Sequence, residues 1–512
     1  MPAGGRTRRR FLMDASLVLG TLYARPLLAR EEPAPSRVQT PGGALRGESA
    51  GGVRVFRGVP FAEPPVRDKR YRAPEKRQPW SGERDATRFA AAAVQPGAAK
   101  LPQSEDCLYL NVWAPEGKGP FPVFVWIHGG GFTGGYSFAP LFDGTGFARE
   151  GIIVVTVGYR LGVLGFLDLG PLLGAEYAGS GNNALRDLMA ALQWVQANIG
   201  AFGGDPARVT VGGESAGAKL TGLLMGTPSA QPLFQQMISE SGGAERAWAV
   251  DKATAVARGF GDTWKATQGK EPADLRSAPA EALMQAQVKL MDTWPQHFPL
   301  RCELDGTLLP RLPVETIAGG STRGKRLLIG TNRDESALFI GPHPEHDATA
   351  ADLGNLSVAR FASVYEKYKT VYPKMSDEQR RIRALTAEEY WVPSLRVVDA
   401  HVKGGGSAWM YRLDFAPTSG RYKGEAYHSF DLELVWDKPD KDIDNAAEQA
   451  ALARQVHAAW AAFIRGEAPG GAGLPSWPQY DGEKRTTMVL ETHSHVELKP
   501  QEAELRLWDG VL

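Results

Sequence analysis

The chain has 512 residues, 43% of them hydrophobic, enough apolar material to bury a large core and incompatible with a disordered chain. Its 58 Lys plus Arg balance 58 Asp plus Glu, and no block of like charge follows the first residues, which excludes an electrostatic nucleic-acid footprint and a polybasic membrane surface. The two cysteines, Cys107 and Cys302, allow at most one disulfide and exclude a structural zinc site built on cysteine.

At the N-terminus Thr7-Arg8-Arg9-Arg10-Phe11-Leu12 precedes a modestly apolar stretch from Ala15 to Ala29. Together they resemble a twin-arginine export signal. Asp14 precedes the stretch, Arg25 interrupts it and no A-x-A site ends it, so the alternative is a basic disordered arm over residues 1–35 of a cytoplasmic protein. Export to the periplasm or medium is the expectation. No later segment offers about 18 uninterrupted apolar residues, so no stable membrane insertion is expected.

From about Val38 onward no low-complexity linker divides the chain, and residues 36–512 read as one domain. Short runs rich in β-branched and aromatic residues alternate with helical patterns, the signature of an α/β architecture with a largely parallel sheet. Phe121–Ile127 (FPVFVWI) and Ile152–Tyr159 (IIVVTVGY) are apolar throughout, as strands covered on both faces must be. Leu185, Leu188, Leu192, Val195 and Ile199 recur at helical spacing and predict a helix over about Asn183–Ile199. Phe202-Gly203-Gly204-Asp205-Pro206 ends it. Further strands are predicted at Val209–Gly212, Arg326–Gly330 and Ala408–Leu413. Helical insertions over about 251–300 and 343–393 are expected to cap one end of the sheet. Their aromatics Trp264, Trp294, Phe298, Phe339, Tyr390 and Trp391 either line an apolar pocket or pack a cap.

Two local patterns carry chemistry. Gly213-Glu214-Ser215-Ala216-Gly217 lies between the strand VTVG and an apolar helical run. A sharp strand-to-helix turn exposes Ser215 as a nucleophile, with unpaired helix N–H groups behind it. His128-Gly129-Gly130-Gly131-Phe132 directly follows the buried strand FPVFVWI. Its glycines allow the backbone to approach a substrate closely. The N–H groups of Gly130, Gly131 and Ala216 are read as an oxyanion hole, in which one donor contributes roughly 3 kcal/mol to transition-state stabilisation.

With Ser104-Glu105-Asp106-Cys107-Leu108-Tyr109-Leu110-Asn111-Val112-Trp113, Tyr159-Arg160-Leu161-Gly162 and the run Ala191–Gly217, these motifs resemble the type-B carboxylesterase and cholinesterase family from about Val38 to past Asp481. The resemblance implies the α/β-hydrolase fold, with a mostly parallel central sheet, helices on both faces and helical insertions capping the active-site end. It implies a serine carboxylic-ester hydrolase acting on a small-molecule ester and water, without cofactor or metal. The chain order Ser, acid, His and the family-like segment Gly330-Thr331-Asn332-Arg333-Asp334-Glu335 point to Glu335 as the acid, with Asp334 the rival. Ala426-Tyr427-His428-Ser429-Phe430-Asp431-Leu432 points to His428 as the base. Ser336 and Ser429 stand where the family frequently has glycine. His401 and His457 lie in helical contexts and are poor candidates for the base. The resemblance also places Glu214 at the cavity, Ser241 behind the acid, and Trp248 either in an acyl pocket or in the core.

Valine 94 stands where the family's partner of Cys107 is expected, so that disulfide must be missing. The loop from Val94 to Cys107 is short and holds no tryptophan, which speaks against choline-ester specialisation. His343-x-x-His346 and His493-x-His495 read as surface histidines rather than metal ligands, and Lys219 as an exposed helix lysine rather than half of a serine–lysine pair. Oligomeric state and physiological substrate are not legible. An amidase, lactonase or acyltransferase using the same nucleophile, or a non-catalytic binding relative, are the alternatives to an esterase.

Overall fold

A computed structural model of the protein describes residues 33–244, 247–295, 298–339, 356–471 and 473–512. The arginine-bearing N-terminal segment, His343 and His346 lie outside the described residues. A sheet of 13 strands runs through the molecule. In chain order these are β1 (Ala34–Thr40), β2 (Gly43–Ala50), β3 (Val53–Pro60), β4 (Glu83–Asp85), β5 (Tyr109–Pro115), β6 (Phe121–Ile127) and β7 (Ile153–Val157). They continue with β8 (Gly204–Glu214), β9 (Gln236–Glu240), β10 (Arg326–Asn332), β11 (Ser407–Leu413), β12 (Thr487–Leu490) and β13 (His495–Glu497). The spatial order is β1-β2-β3-β5-β7-β6-β8-β9-β10-β11-β12-β13, with β4 beside β2. From β7 to β12 all neighbours are parallel. Along that path the two ends of the sheet are antiparallel, while β4 runs parallel to β2.

Strand β6 shows why its sequence is apolar at every position. Val123, Val125 and Ile127 enter the core on one face, with Leu185, Leu188, Leu192 and Val195 of α1 (Asn183–Asn198) and Leu220 and Leu223 of α2 (Ala216–Met225). Phe124 and Trp126 enter the core of the opposite face, against Trp436 and beside Val456 and Trp460. A period-2 strand buried on both faces has no solvent position to make polar.

The first insertion forms α3 (Val250–Gln268) and α4 (Ala280–Thr293), which pack on each other. The described part of the second runs through Val358–Tyr365 into α5 (Asp377–Thr386), a π-helical turn Ala387–Trp391 and α6 (Val392–Lys403). A last long helix, α7 (Ala446–Arg465), covers the face opposite α1 and α2. Among the described residues no helix is long and apolar enough to cross a membrane.

Candidate active site

The site is assembled at the carboxyl ends of parallel strands, where the chain leaves β6, β8, β9, β10 and β11. Ser215 is the single residue between β8 and α2, with φ 57° and ψ −120°, a conformation that costs a side-chain-bearing residue energy and that the surroundings must hold. They do so in two ways. The Ser215 N–H donates to Glu240 O at 2.9 Å, tying the elbow to the end of β9. A Cβ on Gly213 or on Gly217 would collide with the carbonyl oxygen of Ile127 at the end of β6, so both flanking glycines are dictated by space.

His428 sits on the loop that follows β11. Its Nε2 is 2.8 Å from Ser215 Oγ and its Nδ1 is 2.6 Å from Glu335 Oε2. Glu335 opens a short turn after β10. The other oxygen of its carboxylate, Oε1, accepts from Ser241 Oγ at 2.5 Å and from Asn332 N at 2.7 Å. Asp334 points elsewhere, accepting from Arg333 Nε and Ala426 N. The structure thus brings Ser215, His428, Glu335 and Ser241 into one hydrogen-bonded line. His401 and His457 are occupied away from it, by Thr322 Oγ1 and by Val435 O.

Glu214 lies beside this line. Its Oε1 accepts from Ser429 Oγ at 2.6 Å and stands 3.1 Å from His428 Nε2. Burial sets the electrostatics, because it penalises whichever form is charged. It lowers the His428 pKa to about 4, against the opposing pull of Glu214, so the resting imidazole is neutral and can accept a proton. Burial raises Glu214 to about 7. It pushes Glu335 upward as well, opposed by the Ser241 hydroxyl, the Asn332 N–H and the charge of Lys219.

The glycine loop after β6 faces the elbow. Gly130 and Gly131 have φ 114° and 61°, and among the described residues their N–H groups have no acceptor. Ala216 is the first residue of α2, where N–H groups lack intrahelical partners. The Phe298 ring covers Gly131, with Cε1 2.7 Å from where a Cβ would sit. Trp248 is tied to that same segment rather than to the hydrogen-bonded line. Its Nε1 donates to Pro299 O at 2.7 Å, and the Arg301 guanidinium lies 4.1 Å from its ring centroid. Phe339 and Tyr390 pack their rings against His428 at 5.2 and 4.8 Å.

Lys219 departs from its sequence reading. It is buried, not exposed, and its ammonium pairs with Glu389 at 2.8 Å, because the apolar elbow helix is enclosed on all sides. Two further groups escaped the sequence reading although they lie inside quoted motifs. Asn332 donates through Nδ2 to Tyr427 O, joining the acid and histidine loops. Asp431 accepts from Tyr411 OH three residues past His428. Cys107 and Cys302 are both buried free thiols. His493 and His495 are exposed, and the described residues contain no group of side chains arranged to hold a metal ion.

Comparison with known proteins agrees over nearly the whole chain. The sequence profile of the Carboxylesterase family matches residues 34–508. The chain is 36% identical over 484 residues to the para-nitrobenzyl esterase of Bacillus subtilis (strain 168), covering 91% of this chain and 96% of that one. It is 33% identical to the fumonisin B1 esterase of Sphingopyxis macrogoltabida, covering 90% and 87%, and 31% identical to mouse (Mus musculus) carboxylesterase 1E, covering 97% of each. The solved structure of a PNB esterase superposes with a TM-score of 0.82 at 35% identity, covering 92% of this chain and 99% of that one. The carboxylesterase EST55 of Geobacillus stearothermophilus gives the same values. The fold is that of the α/β-hydrolases, and the chain belongs to the carboxylesterase family of carboxylic ester hydrolases.

Proposed function

We propose that the protein hydrolyses small to medium carboxylic esters through a Ser215–His428–Glu335 triad and a covalent acyl-enzyme. The observation that carries this reading is the continuous line of two hydrogen bonds, Ser215 Oγ to His428 Nε2 at 2.8 Å and His428 Nδ1 to Glu335 Oε2 at 2.6 Å. His428 Nε2 takes the Ser215 proton as Oγ bonds to the ester carbonyl carbon, and the carbonyl π electrons move onto oxygen. That oxyanion is held by the N–H groups of Gly130, Gly131 and Ala216, aimed before the charge develops. Collapse breaks the bond to the alkoxy oxygen, which leaves with the proton from His428. Water then adds to the acyl carbon, giving its proton to His428, and Ser215 regains its hydrogen as the acid departs.

Glu335 holds the imidazole by Nδ1 and stabilises the transient imidazolium, with Glu214 adding a second negative charge on the Nε2 side. Among possible substrates, para-nitrobenzyl esters are the small, flat case suggested by one relative's name. The test is turnover of a p-nitrophenyl ester series by wild type and Ser215→Ala. Serine-dependent hydrolysis with a pre-steady-state burst supports the reading, and turnover unchanged in Ser215→Ala refutes it. The N-terminal Arg8-Arg9-Arg10 segment further supports export. Replacing Arg8 and Arg9 by lysine should then leave the protein in the cytoplasmic fraction of a bacterial host.

A further inference from the structure

Lys219 lies one helical turn past the nucleophile, and its own N–H donates to Ser215 O at 2.9 Å. Its ammonium is withdrawn from water, and Glu389 Oε1, 170 residues further along the chain, meets it at 2.8 Å. A buried ion pair is costly to desolvate and gives little net stability, yet the hydrolytic steps above make no use of it. The same ammonium stands 4.7 Å from the ring centroid of Tyr390, within cation–π range. Glu389 and Tyr390 are adjacent residues of the π-helical turn Ala387–Trp391, and both reach one cation. Such single π turns concentrate at functional sites. Tyr390 in turn packs on His428 with ring centroids 4.8 Å apart, and Phe339 stacks parallel to Tyr390 while touching the same imidazole.

The imidazole has a competing position available. His428 Nε2 lies 2.8 Å from Ser215 Oγ but only 3.1 Å from Glu214 Oε1. Once protonated, the ring is drawn to that carboxylate and away from the leaving oxygen it must protonate. We propose that Lys219, anchored by Glu389, is a positioning residue of the triad: it clamps Tyr390 against His428 so that the imidazolium stays aligned with Ser215 instead of turning to Glu214. The inference rests on the ester-hydrolase reading above. Among the described residues the charged or titratable groups against His428 are Glu335 after β10, Glu214 at the end of β8, Tyr390 on the π turn and Lys219 on α2, while Asp431 on its own loop acts on Glu214. Lys219 supplies the positive charge in that set, and it opposes protonation of His428.

The test measures kcat, KM and the pH profile of kcat/KM with p-nitrophenyl butyrate for wild type, Lys219→Met, Lys219→Arg, Tyr390→Leu and the double variant Lys219→Met/Glu389→Leu. Ser215→Ala is run beside them, with a melting curve for each protein. Lys219→Met and Tyr390→Leu should lose about tenfold in kcat, as small misalignments do, with KM within about twofold of wild type. The acid limb of Lys219→Met should move up by about half a pH unit, since a nearby cation is gone, and Lys219→Arg should restore most of both losses. Should Lys219→Met not fold because Glu389 is left buried alone, the double variant carries the same kcat prediction without that charge. Folded variants with wild-type kcat and an unmoved acid limb would overturn the proposal, as would a rise in KM with kcat intact. A folded wild type with no serine-dependent turnover would overturn the hydrolase reading and this inference with it.

Discussion

Replacing Ser241 by alanine removes one of three donors to the Glu335 carboxylate and little else. The Ser241 backbone has φ 56° and its N–H donates to Gly330 O. Both features are available to alanine, so the fold should be kept. What is lost is the 2.5 Å hydrogen bond from Oγ to Oε1, fully buried, while the donors Asn332 N at 2.7 Å and His428 Nδ1 at 2.6 Å remain. A hydrogen bond to a buried charge contributes about 1.5–3 kcal/mol. If all of it were lost in the transition state, kcat would fall by about 10- to 150-fold. The two surviving donors place the expected loss near the lower end, at about tenfold in kcat with KM nearly unchanged. The Ser241 hydroxyl also lowers the Glu335 pKa, so its removal raises the proton affinity of the Glu335–His428 pair. The acid limb of kcat/KM should therefore shift to higher pH. Steady-state kinetics with a p-nitrophenyl ester, run from acid to alkaline pH, read both effects. A folded Ser241→Ala protein with wild-type kcat and an unshifted limb would show that the carboxylate draws nothing from this donor, and would refute the reasoning.

Glu214 offers a test of linkage, since its pKa is raised from 4.5 to about 7 by burial. The folded state holds this proton more tightly than the unfolded chain, so the group favours folding below about pH 4.5 and that contribution disappears as pH rises through about 7. Glu214→Gln should therefore raise the melting temperature at alkaline pH, by at most about 3 kcal/mol of stability, with the gap closing toward acid, while kcat falls because the imidazolium loses a neighbouring charge. Equal melting curves at all pH values would contradict this. Gly217→Ala forces a Cβ onto the Ile127 carbonyl and should cost about 3 kcal/mol or prevent folding, which urea unfolding would measure; a stable, active variant would show that space is not what requires glycine there. Cys107 and Cys302 are buried, and burial raises both thiol pKa values. Ellman's reagent should label neither in the native enzyme and both after denaturation, and rapid labelling of either native thiol would be the contrary result.

Strands buried on both faces were the most legible elements, and β6 spans Phe121–Ile127 as its apolar run predicts. Strand β8 extends from Gly204 to Glu214, well beyond the predicted Val209–Gly212, because charged and small residues fill its ends. Strand β9 was not visible at all. Its sequence QMISE is mostly polar, yet every residue is buried, with Gln236 bonded to Thr210 and Glu240 to Trp460 across long sequence separations. The outer strands β1 and β2 alternate and bury chiefly one face, a weak signal in a single sequence, and β3 breaks its alternation at Arg57 and Gly58. Ser215, Glu335 and His428 stood out because each sits in a distinctive local motif, and the structure brings all three within hydrogen-bond distance. Lys219 is illegible for the converse reason. Its partner Glu389 is 170 residues away, and a charged residue with a distant partner looks like a surface residue. The aromatics Phe298, Phe339 and Tyr390 stand out in the sequence, but their positions depend on how the insertions pack, which local pattern does not encode.

In the proposed mechanism the hydrogen-bonded line also sets when activity first appears on folding. Ser215 and His428 are separated by 213 residues, and His428 and Glu335 by 93, so no folding unit smaller than the sheet from β6 to β11 can contain them in register. Contacts so remote in sequence form late, after the entropy of closing long loops has been met. Regain of activity during refolding should therefore lag the tryptophan signal of the core, and catalysis would serve as a sensor of completed chain topology rather than of local structure.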